Sequence, residues 1–150
     1  MKEPNHRITI RDTEVHELNQ VAQVILASYI EYAVSLSSEK WDQYAENILD
    51  VRGRIDEPDL LVAVYDSEFV GSATFFPMAE NRKGVIWPND WTGIRLVAVV
   101  PEHRGKGIGR MLMEECIYRS NEQCATAVGL HTTPLMTIGA KLYEDMGFVR

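Results

Sequence analysis

One stretch, residues 96–116, constrains the fold more than any other part of the sequence. An apolar and mostly β-branched run over residues 96–100 stops at Pro101, and a basic loop with a glycine at every second position follows over residues 104–109. An amphipathic segment continues from there. The pattern predicts a buried strand, a tight loop and a helix that begins near residue 107.

A helix that begins in a glycine-rich loop presents a ready site for an anion. Its first backbone N–H groups have no partner within the helix, and they point, with the positive end of the helix dipole, at whatever lies in front. Phosphate is the commonest ligand of such a terminus, and glycine lets the ligand approach because it has no Cβ. The loop is not a P-loop, because Gly109 is followed by Arg110 and Met111 rather than by Lys and Ser or Thr. It also lacks the context of a Rossmann fingerprint.

Hydrophobic periodicity predicts the remaining elements in the order β-α-α-β-β-β-α-β-α, with a last extended segment at Phe148 and Val149. We expect the first helix to be capped by Asp12 or Thr13 and the last to stop at Gly147. Strands are predicted at residues 7–11, 60–65, 69–76, 94–100 and 125–132, and helices around residues 14–29, 38–49, 107–120 and 135–146. This order indicates an α/β (α+β) fold with a mixed, mostly antiparallel central sheet and helices on both faces.

Composition narrows the class of protein. The 22 acidic and 15 basic side chains give a formal net charge of −7, which argues against nucleic acid as a partner. The charge is compatible with a cationic substrate such as an amine, but solubility alone is the more common reason for a net charge of this sign. No signal-peptide core and no apolar run of membrane-spanning length is present in the sequence, so no membrane partner is expected. Cys116 and Cys124 lack metal-ligand spacing, which predicts reduced, packing thiols and a cytoplasmic protein.

Two blocks of the sequence resemble the GNAT superfamily of acetyl-CoA-dependent N-acetyltransferases. LVAVVPEHRGKGIGRMLM, residues 96–113, is similar to the acetyl-CoA motif of that family, and IGAKLYEDMGF, residues 138–148, is similar to its A-x-x-L-Y-x-x-x-G-F helix. The predicted hairpin over residues 60–76 is a weaker match. The resemblance implies the GNAT-type acyl-CoA N-acyltransferase fold. It also implies one N-acetyltransferase domain over residues 7–150, after a tail of residues 1–6, with an incomplete C-terminal strand.

The resemblance implies acetyl-CoA as co-substrate, without a metal. The loop would hold the pyrophosphate, with charge added by Arg104, Lys106 and Arg110, and the pantetheine arm would lie along Val97, Ala98 and Val99. Tyr143 falls on the family's tyrosine, which protonates the departing thiolate. The cofactor-binding residues implied are Val97, Ala98, Val99, Arg104, Gly105, Lys106, Gly107, Ile108, Gly109, Arg110 and Tyr143.

The chain departs from the family pattern at the general base. Many members carry a Glu near the start of the motif strand, and Gly93 stands at that place here. His131 and Asp90, acting through water, are equal candidates for the role, and Glu80 or no dedicated base are the alternatives. The Asn that often precedes the tyrosine by seven residues is Met136.

These observations leave several functions open. The first is an N-acetyltransferase that acts on a primary amine of a small molecule or peptide by direct attack in a ternary complex. The second is a non-catalytic acyl-CoA-binding or sensing module, and the third is a scaffold whose open sheet edge pairs with a partner, for example in a homodimer. The aromatic residues near the predicted acceptor mouth are either core residues or substrate contacts. The candidates for substrate contact are Tyr29, Tyr32, Trp87 and Trp91.

Overall fold

A computed structural model describes residues 8–30, 37–49, 59–78, 88–130 and 137–149 of the 150-residue chain. Short 3-10 turns at Val15–Glu17 and Pro101–His103 precede the first and third helices. The helices and strands are β1 (Ile8–Asp12), α1 (Leu18–Tyr29), α2 (Ser38–Leu49), β2 (Asp59–Tyr65), β3 (Glu68–Phe76), β4 (Trp91–Val99), α3 (Ile108–Glu122), β5 (Ala127–Leu130) and α4 (Thr137–Asp145). The predicted order of elements is confirmed within these residues.

The five strands form one mixed sheet in the order β1-β2-β3-β4-β5. The first four strands are antiparallel to their neighbours, and β5 is parallel to β4. A two-residue turn joins β2 to β3, with Asp66 at φ 51° and Ser67 at φ 70°. Positive φ at both turn residues matches the right-handed twist of a hairpin, so this connection sets the register of β2 on β3. The predicted α+β fold with a mostly antiparallel sheet is confirmed.

Helices cover both faces of the sheet, as predicted. The α3-side cluster is built on α3 and one face of β2, β3 and β4, and the α1-side cluster is built on α1 and the opposite face. The α3-side cluster comprises Leu61, Ala63, Val70, Ala73, Phe75, Ile94, Ile108, Leu112, Met113 and Cys116. The α1-side cluster comprises Val21, Ile25, Tyr29, Val62 and Ala98. Strand β4 is therefore packed between the two clusters, and its last residues lie against the end of α1.

The predicted cap of the first helix was wrong. The N–H of Thr13 donates to the Leu60 carbonyl at 2.9 Å, so the sheet takes up this residue. Glu14 instead caps the 3-10 turn that leads into α1, in a reciprocal capping box with Glu17. Arg11 holds both carboxylate oxygens of Glu17 at 2.9 Å, which ties the start of α1 to β1.

Two other sequence predictions need correction, and a third is confirmed. Strand β4 begins at Trp91, three residues earlier than predicted, because Trp91 and Thr92 pair with β5 and Gly93 pairs with both β3 and β5, which offsets the low strand propensity of glycine. Phe148 and Val149 form no strand, and the N–H of Phe148 instead donates to the Tyr143 carbonyl and closes the end of α4. Gly147 has φ 97°, as the predicted stop requires.

The outer strand and the two cysteines complete the comparison with prediction. Strand β5 covers only Ala127–Leu130 of the predicted span 125–132, and residues 131 and 132 lie outside the described residues. Cys116 is buried in the α3-side cluster, as predicted, whereas Cys124 is exposed, so its predicted packing role was wrong. Within the described parts of the chain, no helix is both long and apolar enough to span a lipid bilayer.

Candidate functional site

A cavity of about 290 Å³ lies where the end of α1, the end of β4, the loop before α3 and helix α4 meet. Every residue expected to bind the cofactor, except Lys106, lines it. Tyr29, predicted to contact the acceptor, also lies here rather than at a separate mouth. Ser28, His103 and Leu142 complete the lining. The structure therefore brings together residues that are 115 positions apart in the sequence.

The loop before α3 has the geometry of an anion-binding turn. Gly105 and Gly107 have φ of 85° and 81°, which other residues adopt only with strain. A Cβ on either would meet nothing within 4 Å, so the glycines are required here by conformation, and the space beside them is open. No side chain caps α3, and its first intrahelical bond is from Met111 N–H to the Gly107 carbonyl. The N–H groups of the first turn therefore face the open side of the loop.

A bulge interrupts β4 immediately before the cavity. Between the pairs Thr74–Arg95 and Ser72–Ala98, β4 advances three residues while β3 advances two, and Leu96 takes φ 53°. The extra residue resets the alternation of the strand, so Leu96 and Ala98 pack in the α1-side cluster. A positive φ at leucine is uncommon and marks a locally strained backbone.

Two carbonyls of the strand that precedes the loop accept hydrogen bonds from side chains. The Tyr29 hydroxyl donates to the Val97 carbonyl, and Tyr29 is only 5% exposed. Arg104 donates from Nε to the Val99 carbonyl at 3.1 Å and from Nη2 to the Ser28 carbonyl at 2.9 Å. The guanidinium thus caps the C-terminal end of α1 and fixes it against β4.

Lys106 is the one predicted cofactor residue that the structure directs elsewhere. Its ammonium lies 3.2 Å from Nδ1 of His103 and 5.2 Å from the centre of the Tyr65 ring. His103 in turn lies edge-on to Tyr65 and places Nε2 3.6 Å from the Glu68 carboxylate. Tyr65 and Glu68 come from the β2–β3 hairpin, which explains why the sequence around Lys106 did not reveal this contact.

Helix α4 places Tyr143 on the cavity. Leu142 packs at the start of α3, where a Cβ on Gly109 would lie 3.3 Å from Leu142 Cδ2. Glycine at this position lets the two helices approach closely. Tyr143 lines the cavity and packs against the α3-side cluster while remaining partly accessible.

The other predicted site residues lie either outside the cavity or outside the described residues. Asp90 is exposed ahead of β4, and its carboxylate accepts a 2.8 Å hydrogen bond from the Thr126 hydroxyl. It does not line the cavity. Trp91 is half-buried at the first position of β4. The candidates His131, Tyr32, Trp87, Glu80 and Met136 lie outside the described residues, and their roles stay predictions.

Sequence reasoning missed Ser28, which lines the cavity, and made no prediction for Arg95, which lies outside the cavity. The Ser28 carbonyl receives the Arg104 guanidinium, and a backbone acceptor leaves no signal in the sequence. Arg95 is exposed on a central strand directly before the bulge, and the charge of that residue within an otherwise apolar strand was the available signal.

Comparison with known proteins matches this arrangement to one family. Residues 18–148 match the family model described as "Acetyltransferase (GNAT) family". No curated protein matches the chain at a significant level.

Several solved structures share the fold. PaiA N-acetyltransferase from Thermoplasma acidophilum, in complex with coenzyme A, has a TM-score of 0.74 and 18% identity over 95% of this chain and 90% of that chain. A GNAT family acetyltransferase from Brucella melitensis in complex with acetyl-CoA has a TM-score of 0.65 and 25% identity over 97% and 84%. Ribosomal-protein-alanine N-acetyltransferase from Brucella melitensis biovar Abortus 2308 has a TM-score of 0.67 and 24% identity over 97% and 94%.

Proposed function

The chain belongs to the GNAT family of acetyltransferases, and on that basis we propose that it transfers the acetyl group of acetyl-CoA to a primary amine of a small molecule or peptide. The observation that carries the proposal is the cavity that joins the positive-φ glycine loop, the end of β4 and Tyr143. The amine attacks directly while both substrates are bound.

The residues present suit two parts of acetyl-CoA, the pyrophosphate and the pantetheine arm. The uncapped first turn of α3 and the open space beside Gly105 and Gly107 suit a pyrophosphate, because several N–H donors converge there. Among the described residues, β5 pairs with β4 only as far as Ile94, so the following edge of β4 has room for an extended pantetheine arm. The Val97 and Val99 carbonyls already accept one bond each, but a carbonyl oxygen has two lone pairs and can accept another.

The reaction requires three groups from the protein: a base for the amine, hydrogen-bond donors for the oxyanion and a proton donor for the departing thiolate. Acetyl-CoA supplies the thioester that the amine attacks. An amine with a pKa of about 10.4 is mostly protonated at neutral pH, so a base must take its proton. Backbone N–H groups near the bulge stabilise the developing oxyanion, and Tyr143 donates its phenolic proton to the departing sulfur. His131 and Asp90 remain the candidates for the base, each through water.

Thiol release from acetyl-CoA with a panel of primary amines tests the proposal. Tyr143→Phe should lower kcat by about 10²- to 10⁴-fold, the usual range for loss of a proton donor, with little change in the KM for acetyl-CoA. Tyr118→Phe is the matched control, because Tyr118 is 59% exposed on α3 and does not line the cavity. Absence of acetyl-CoA binding by calorimetry at micromolar protein would rule out the function.

A non-catalytic acyl-CoA-binding module is the second candidate. Gly93 favours it, because the position where many relatives of this family carry a Glu has no side chain here. Binding of acetyl-CoA without turnover of any amine in the panel would support this alternative. Turnover of a single amine at a rate that depends on Tyr143 would eliminate it.

A further inference from the structure

Arg95 lies on β4 immediately before the bulge and outside the cofactor cavity. It is exposed, and within the described residues its guanidinium makes no hydrogen bond or ion pair. An unpaired guanidinium on a central strand is therefore available to a ligand.

The strand register defines the face on which Arg95 lies. Arg95 is the cross-strand partner of Thr74, and Thr74 is the partner of Leu60, which packs against the α1-side cluster. The preceding residue, Ile94, belongs to the opposite, α3-side cluster. Residues paired across an antiparallel sheet share a face, so Arg95 and Thr74 both face the α1 side.

Thr74 supplies a second, independent observation. Its side chain is 3% exposed, and its hydroxyl is buried without a hydrogen-bond partner in the part of the chain that the structure describes. Buried hydroxyls nearly always have a partner, so an orphan marks a place where a ligand or water completes the bonding. Cross-strand partners lie about 5 Å apart at Cβ, which puts this hydroxyl beside the base of the Arg95 side chain.

The position relative to the cavity suits the acceptor. Val97 lines the cavity, and Arg95 lies two residues earlier in β4, directly before the bulge at Leu96. Because the proposed function places the pyrophosphate at the loop before α3 and the pantetheine arm along the end of β4, the thioester and the acceptor lie towards the start of β4, on the side of the bulge that carries Arg95.

We propose that Arg95, assisted by the Thr74 hydroxyl, binds a carboxylate carried by the acceptor, so that the substrate is a small zwitterionic amine such as an amino acid. The inference rests on the proposed acetyltransferase function and names its substrate class. An arginine fork binds a carboxylate through two parallel, charge-assisted hydrogen bonds, which a neutral amide or an amine alone does not reproduce. The net charge of −7 by itself favours a purely cationic acceptor. The positive charge of Arg95 adds a local site for the negatively charged carboxylate of a zwitterion.

The test compares matched acceptors. Each proteinogenic L-amino acid is assayed for acetyl-CoA-dependent thiol release against its α-amide and its decarboxylated amine. The wild type should favour at least one amino acid over its amide by about 10- to 100-fold in kcat/KM. Arg95→Ala should abolish the preference through the KM for the amine, with the KM for acetyl-CoA unchanged, and Arg95→Lys should retain part of it.

Two controls separate binding from folding. Lys141→Ala removes a cation that is exposed on α4, and it should change neither the preference nor the melting temperature. Thr74→Val keeps the shape of the side chain and should weaken the same preference without loss of stability, since the hydroxyl has no partner in the protein. A preference that survives in Arg95→Ala, or equal rates of the wild type with amino acid and amide, would overturn the inference.

The outcomes also separate this inference from the proposed function. Acetylation confined to amines that lack a carboxylate would uphold the function and refute the role of Arg95. If no amine is acetylated, calorimetry with the same amino acids and CoA-saturated protein decides the matter. Binding that Arg95→Ala abolishes would support the carboxylate site without catalysis, and absence of binding would overturn it.

Discussion

Gly71 is the position where a single methyl group should disturb both the sheet and the cavity. It lies in β3 opposite Val99, at the end of β4 that borders the cavity. A Cβ on Gly71 would lie 2.8 Å from the Ala98 carbonyl oxygen, 3.2 Å from Ile108 Cγ2 and 3.3 Å from Leu112 Cδ1. The side chains of α3 can adjust, whereas the backbone oxygen cannot move without β4. Gly71→Ala should therefore push the end of β4 away from β3.

The expected cost follows from these contacts. Overpacking a core by one methyl group costs about 1–3 kcal/mol. A chain of this length loses roughly 2–4 °C of melting temperature per kcal/mol, so the melting temperature should fall by about 2–12 °C. Ala98 and Ile108 both line the cavity, so the same displacement should weaken the binding of CoA.

Differential scanning calorimetry and isothermal titration with CoA measure the two effects. Val70→Ala is the matched control, because Val70 is the neighbouring residue of β3, is 1% exposed, and loses volume without pressing on β4. The control should lower the melting temperature and leave the affinity for CoA unchanged. Wild-type melting of Gly71→Ala would refute the argument, and so would an equal loss of affinity in both variants.

Further predictions concern groups outside this contact. Tyr29→Phe removes the hydroxyl on the Val97 carbonyl and should lower the free energy of unfolding in urea by about 1 kcal/mol; an unchanged value would show that water replaces the bond. The hydrogen bonds from Arg11 lower the pKa of Glu17 from 4.5 to about 2, so its contribution to stability is present above pH 4.5 and is lost as the pH falls towards 2. Urea unfolding of Glu17→Gln should be less pH-dependent in that window, and an acid dependence like that of the wild type would contradict the assignment. Burial raises the pKa of Cys116 from 9.0 to about 12, so iodoacetamide should label only Cys124 in the native protein, and mass spectrometry that finds Cys116 modified would contradict this.

The elements were predictable where one apolar stripe decides the structure. Val21, Ile25 and Tyr29 recur at helical spacing, and all three are buried in α1. The start of that helix was not predictable, because Thr13 is a better cap than Glu14 by residue type, and only the pairing of Thr13 with Leu60 removes it from that role. Local preference gave way there to a tertiary hydrogen bond.

The candidate site also has some features that were predictable from the sequence and others that were not. The glycine loop and Tyr143 carry short sequence motifs, and the structure places both on one cavity. The bulge has no such signal, because Leu96 is an ordinary strand residue and takes φ 53° only under the demands of packing. The direction of Lys106 was equally hidden, since its partner Tyr65 is 41 positions away in the chain.

The bulge divides β4 into two segments. In the first segment the side-chain positions of Trp91, Gly93 and Arg95 face the α1 side of the sheet, and in the second segment the alternation of faces starts again at Leu96. If Arg95 binds the acceptor as proposed, substitutions in the first half should alter which acceptor is preferred without shifting the half that borders the cavity. Deletion of Leu96 would remove the bulge and join the two halves in one regular register, with the facing of both halves unchanged.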